Sequence, residues 1–275
     1  MKIEAFDEFG FILWYYAPMA YGLYLKNELE YTKSKIGTKP VFYFSDNHTE
    51  EPKHFDPPIL NNILLQSSDR SNNCYNHEGP KFIKNNYWTP PPYKNIFKNN
   101  LYVYNKPILT IHNKNNKEWS KHPVNYFNSE ILDKLFTELK NKYQIIYIRP
   151  PDNPEKYKLQ KDNLQATVDI GDKEILVKHP EVIDIETLLN KTDKSYNEVQ
   201  FMVLSNSEHH ISPAGDAVIP CYFGGEVLIY NCPDCASSKR GVWKTGSWME
   251  ILSGSKIYGF NDYDNLLDHV KNKWL

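Results

Sequence analysis

Apolar and polar positions divide this chain into short apolar runs and longer amphipathic stretches. GFILWYY (10–16) is an unbroken run of aromatic and aliphatic side chains and reads as a strand. Pro18 suits the first turn of a helix, and MAYGLYLKNELEYTKSK (19–35) carries apolar residues at helical spacing. VFYF (41–44) reads as a short buried strand, and SDNHTEEP (45–52) as a polar loop. Residues 70–100 are rich in Asn and Pro with little period, so they form a long irregular excursion.

From Pro107 a regular alternation begins. ILTIH (108–112) is a strand and NKNNKEWSKHP (113–123) a polar loop. SEILDKLFTELKNKY (129–143) is an amphipathic helix with Leu132, Leu135, Phe136 and Leu139 on one face and Ser129 as its cap. QIIYI (144–148) is the continuous apolar run of a central parallel strand. IETLL (185–189) and YNEVQFMVLSNS (196–207) follow as helices, HHIS (209–212) and EVLIYN (226–231) as strands, and YDNLLDHVKNKW (263–274) as a final helix. The pattern predicts an α/β chain in two Rossmann-like halves facing a cleft, 1–105 and 106–275, with a ligand at the carboxyl ends of the strands.

Composition narrows the partners. A formal net charge of −2, with dispersed lysines, argues against a nucleic-acid binder. The 20 Tyr, 13 Phe and 6 Trp suit either sugar-binding faces or core packing. The apolar run 11–25 is broken by Pro18 and Gly22 and lacks a basic flank, so no signal or transmembrane segment is expected and the chain reads as cytoplasmic. The four cysteines show no secreted-domain spacing. Cys232 and Cys235 form a C-x-x-C near His209 and His210. A second pair is missing, so a turn with two thiols is expected rather than a zinc or redox site.

SNSEHHISPAGDAVIPCYFGG (205–225) carries the richest chemistry. A strand ends at Ser212, Pro213-Ala214-Gly215 turns, and a helix is expected near Asp216, an arrangement that presents backbone N–H groups to a diphosphate. Arg149, ending QIIYI, is placed to pair with phosphate, and Glu198 to accept ribose hydroxyls. A surface salt bridge and a solvated helix carboxylate are their plainer readings. Neither a G-x-G-x-x-G nor a Walker pattern is present.

The ordered set FGFILW (9–14), FYFSDNHTE (42–50), WTPPPYK (88–94), Asn113-Lys114 with Glu118-Trp119, YIRP (147–150), YNEVQ (196–200) and HHISPAGDAVIPCYFGG (209–225) resembles GT-B-type glycosyltransferases. It is most similar to a group of viral and microbial proteins and, beyond them, to the exostosin-like xylosyltransferases of chlorella viruses. Each segment is short, but the set spans nearly the whole chain. Two positions depart from the pattern: Gly215-Asp216 stands for a Gly-Gly, and Phe11 for an Asp.

The resemblance implies inverting transfer of a sugar, possibly xylose, from a nucleotide donor, UDP-linked by preference, to a glycan hydroxyl, with neither metal nor cofactor. A viral setting would place it in the host cytoplasm. Lys114, Arg149, Ser212, Gly215 and Asp216 would face the donor, with Glu198 on its ribose. His48 is the first choice of base, since it titrates near neutrality, with Asp7 and Glu50 in reserve. Trp14, Trp88 and Tyr93 are the acceptor-lining aromatics. The rival reading is a non-catalytic glycan- or partner-binding protein using loop 88–94, where PPPY (90–93) has the form of a WW-domain ligand. A different α/β enzyme, such as an epimerase or a phosphate-ester hydrolase, is the other alternative.

Overall fold

The computed structural model describes residues 1–52, 87–114, 124–160, 168–233 and 241–275. Two parallel sheets organise them. A three-stranded sheet has the order β1 (Lys2–Ala5), β2 (Tyr31–Lys35), β3 (His48–Glu51). A six-stranded sheet has the order β6-β5-β4-β7-β8-β9, with β4 Ile108–His112, β5 Gln144–Ile148, β6 Ile183–Asp184, β7 Ser207–Pro213, β8 Glu226–Tyr230 and β9 Lys256–Phe260. Counted from β4, that order is 3-2-1-4-5-6, and the chain reverses direction across the sheet between β4 and β7.

The second half follows its pattern closely. Helix α4 (Ser129–Leu139) buries Ile131, Leu132, Leu135, Phe136 and Leu139. They pack on Leu109 and Ile111 of β4 and Ile211 of β7, on the face that Leu266, Leu267 and Val270 also cover. The cap of α4 is Asn128, one residue before the expected Ser129: its side chain accepts from Ile131 N at 3.0 Å. On the opposite face, Ile108, Ile146 and Ile148 pack on α6 (Ile185–Leu189) and α7 (Tyr196–Ser205). Helices α5 (Asp172–Lys178) and α9 (Trp248–Ser253) and strand β9 have no counterpart in the sequence reading.

The first half differs from expectation. GFILWYY is helical: α1 (Phe9–Phe11), a π-helical stretch (Ile12–Tyr16) and α2 (Ala17–Leu25) run on from one another. All five residues of the π stretch are buried, so the run is apolar because it is covered all round, and periodicity cannot identify it. The strands lie in the more polar segments YTKSK and HTEE, while VFYF forms buried turns. Of the irregular excursion expected at 70–100, residues 70–86 lie outside the described residues, and Tyr93–Phe97 form a short helix, α3.

The two halves share apolar packing. Ala5, Leu13, Trp14 and Phe42 belong to one buried cluster with Phe201, Ala214, Val227, Ile229 and Trp248. The boundary at 105 therefore separates two sheets but not two hydrophobic cores.

Candidate functional site

The carboxyl edge of the six-stranded sheet collects most of the polar residues singled out on the donor side. β4 runs into Asn113 and Lys114, β5 into Arg149, and β7 into the turn 214–217. Lys114 is buried, and its Nζ donates to Ala214 O at 2.9 Å, bridging the two strands that flank the switch point. Asn113 is fixed by its neighbour segment. Its side chain donates to Phe127 O (2.9 Å) and Tyr147 Oη (3.0 Å) and accepts from Phe127 N (2.8 Å). Lys114 thus projects from an immobilised residue.

Gly215 has φ of 102°, a conformation that strains any residue with a Cβ. Gly215 and Asp216 are half-buried at the edge, whereas Ser212 is fully buried. The helix expected near Asp216 begins at Val218 and is only four residues long. A single turn adds little dipole, so any diphosphate contact here comes from the turn and Lys114, not from a helix terminus.

Arg149 is buried and already paired. Its Nε lies 3.2 Å from Asp172 Oδ2, and its Nη1 donates to Asp152 Oδ1 at 3.1 Å and Pro150 O at 3.3 Å. Tyr147 Oη also donates to Asp172 Oδ2 at 3.0 Å, which ties Arg149 to the Asn113 network. A phosphate at Nη1 competes with Asp152, which is half exposed and paired with Lys173 Nζ at 2.7 Å. Glu198 has a helix-end role: Ser195 caps α7 by accepting from Glu198 N, and the Glu198 carboxylate pairs with Lys194.

The three-stranded sheet brings a second set of groups to the same place. Asp7 and Glu8 follow β1 directly, and Lys35 ends β2. Beyond Lys35, Gly37 O accepts from Asn197 Nδ2 at 2.7 Å. A Cβ on Gly37 would sit 2.5 Å from Lys158 O, so the approach is close. Asn197 lies in the first turn of α7, beside Tyr196, whose hydroxyl donates to Arg149 O at 3.1 Å. The carboxyl end of β2 therefore rests against the carboxyl edge of the larger sheet. Asp7 is buried, with Oδ1 accepting from Glu8 N at 2.9 Å. Burial pushes the Lys35 ammonium down to about 7, and nearby Glu8 opposes the shift.

Lys35, Gly37 and Asn197 were not identified from sequence. Lys35 was hidden by the helix assigned to 19–35, Gly37 falls between that helix and VFYF, and nothing in the pattern places Asn197 against another half of the chain.

His48 lies elsewhere. It pairs with Thr32, near the amino end of β2, and its Nδ1 is 2.8 Å from Thr32 Oγ1. Its ring stacks on Phe42 at 5.0 Å, and burial pushes its pKa down to about 4. Such a ring is fixed and neutral, as a structural histidine is. Glu50 is tied to the adjoining turn, accepting from Lys39 N at 2.6 Å.

The three aromatics expected to line an acceptor site are core residues. Trp88 Nε1 donates to Trp14 O at 3.1 Å, and both rings pack against Trp248. Tyr93 is fully buried, and its hydroxyl donates to Val41 O at 2.9 Å. A WW-domain ligand must present its tyrosine, so this burial also opposes that reading of PPPY.

His209 and His210 are strand residues. His210 is fully buried with Nδ1 2.7 Å from Thr110 Oγ1, and His209 packs between Tyr143 and Trp274. Among the described residues no group of three or more His, Cys, Asp or Glu is placed to hold a metal ion. Cys235, Glu118 and Trp119 lie outside the described residues. Among the described residues no helix is long and apolar enough to cross a membrane.

No protein-family model matches the chain, and no curated protein matches it in sequence. Among solved structures it is similar to the bacterial iron-containing dodecameric glycosyltransferase TibC from enterotoxigenic E. coli. The identity is 12%, the TM-score 0.46, and the match covers 86% of this chain and 59% of that one. It is also similar to the dodecameric iron-containing heptosyltransferase TibC in complex with ADP-D-beta-D-heptose, at 12% identity, a TM-score of 0.45 and the same coverage. The chain thus spans about three fifths of the length of the structures it matches, 59% in each case.

Proposed function

We propose that this chain is a glycosyltransferase with a GT-B-like division of labour: 106–275 takes a nucleotide-sugar donor and 1–105 presents the acceptor. The observation that carries the reading is the switch point of the 3-2-1-4-5-6 sheet. It is bridged by Lys114, bordered by the Gly215 turn, and abutted by the carboxyl end of a second parallel sheet. Open parallel sheets bind ligands at such a crevice.

In this mechanism the acceptor hydroxyl gives its proton to the Asp7 carboxylate as its oxygen attacks the anomeric carbon. The bond from that carbon to the donor phosphate breaks, and the diphosphate leaves with the electron pair. Lys114 and main-chain N–H groups of the turn stabilise the leaving charge. Asp216 lies too close to that charge to help it, and its role is to accept from a sugar hydroxyl. Arg149 joins through Nη1 when Asp152 moves aside. Asp7 is preferred to His48 because it stands at the carboxyl end of its strand, next to the junction. UDP-sugars, UDP-xylose included, are the donors to try first, with a glycan as acceptor.

Release of nucleotide from each donor in the presence of mixed glycans tests the assignment. Asp7→Asn is expected to lower transfer by about 10²–10⁴ while leaving donor binding intact. Full transfer by Asp7→Asn would remove Asp7 from the mechanism, and loss in His48→Asn alone would restore the histidine.

A further inference from the structure

A groove of about 500 Å³ starts at the carboxyl end of β9 and runs along helix α10 (Tyr263–His269) to Asn272 and Lys273. Its size falls within the ~300–1,000 Å³ of small-ligand sites. Three amides line it: Asn261, Asn265 and Asn272 are all exposed, and each side chain both donates and accepts. Phe260 and the ring of His269, 5.4 Å apart and half-buried, form its apolar part. Burial pushes the His269 pKa down, so the ring is neutral near pH 7.

Charge selects the ligand class. Asp262, Asp268 and Lys273 line the groove, leaving one excess negative charge that disfavours phosphates and acidic sugars. Both oxygens of Asp262 are engaged by Asn265: Oδ1 accepts from the backbone N at 2.8 Å, and Oδ2 from Nδ2 at 2.6 Å. That pairing turns the Asn265 carbonyl into an acceptor of fixed orientation. A sugar hydroxyl both donates and accepts, and a pyranose ring has an apolar face. Amides beside aromatic rings match both properties.

We infer that this groove is a binding site for a neutral oligosaccharide, separate from the donor crevice. β9 stands two strands from β7, and adjacent strands lie ~4.8 Å apart, so about 10 Å along the edge separates the Gly215 turn from the end of the groove at Asn261 and Asp262. A saccharide held there would lie alongside the crevice. Its binding does not require that the chain catalyses transfer.

The test is binding of the full chain to a printed array of neutral and sialylated oligosaccharides, with the double variant Asp268→Ala, Asn272→Ala alongside. Neither residue caps the helix, and a circular-dichroism melt checks that both proteins fold. The expected result is retention of neutral glycans by the natural sequence and at least a tenfold loss in the double variant. Undiminished binding by the double variant, preference for sialylated glycans, or no glycan bound by the folded natural chain each overturns the proposal. Glycan binding without any nucleotide-sugar binding would leave the groove standing and remove the transferase reading.

Discussion

Buried neutral histidines give the chain a predictable acid sensitivity. Burial lowers the pKa of His48 to about 4 and of His112 to about 3, and holds His210 far below its usual range. In the unfolded chain each returns to ~6.5 and takes up a proton below that pH. The unfolded state then binds more protons, so stability is full above about pH 6.5 and falls as pH drops toward the folded values. Urea midpoints are therefore expected to be lower at pH 5 than at pH 7, and His48→Phe is expected to narrow the gap. Equal midpoints at the two pH values would contradict the burial of these rings. The same residues show what single positions reveal in sequence. His48 looked catalytic because it sits among polar neighbours, yet Thr32 and Phe42 make it structural. Trp14, Trp88 and Tyr93 looked like a binding face, but an aromatic side chain reads the same in a pocket and a core. Gly215 was recognisable because it sits just beyond an obvious strand, whereas Lys114 was singled out only through the family resemblance.

At the scale of elements, the glycine pair 224–225 sets the entry to β8. Gly225 has φ of 76°, and a Cβ there would lie 2.2 Å from Glu208 O at the start of β7. Gly225→Ala must therefore move one of two adjacent central strands and adopt a strained backbone. A loss of about 1–3 kcal/mol is expected from urea unfolding. An unchanged midpoint would mean that the β7–β8 contact is looser than described. Elements of the second half were legible because the faces of α4 are sharply divided and QIIYI and EVLIY are continuous apolar runs. The short β1, β2 and β3 escaped notice because their residues are largely polar. The helix at Ile12–Tyr16 escaped because burial on every side erases its period. Propensity and tertiary packing pull in opposite directions there, and packing wins.

Across the whole molecule, the shared apolar cluster makes the two halves interdependent. Val227, Ile229, Phe223 and Trp248 of the second half pack with Leu13, Trp14 and Phe42 of the first. A fragment of residues 106–275 would expose that surface. It is expected to bind a hydrophobic dye and to melt well below the full chain, in a broad transition. A sharp melt at the full-length temperature would instead make the halves independent domains. The α/β class and the central strands of the larger parallel sheet were legible from the strand–helix rhythm. The contact between Gly37 and Asn197 joins residues 160 positions apart, and local pattern carries no information about it.

The central claim is that the crevice between β4 and β7 holds a nucleotide-sugar. Thermal denaturation of the full chain with UDP, GDP, ADP, CMP and their sugars tests it most directly, because a ligand of the folded state raises the melting temperature. A rise with one nucleotide family is expected, lost in Gly215→Val and in Lys114→Met and retained in Asp7→Asn. No rise with any nucleotide for a cooperatively folded sample, or a rise that survives both crevice variants, would contradict it.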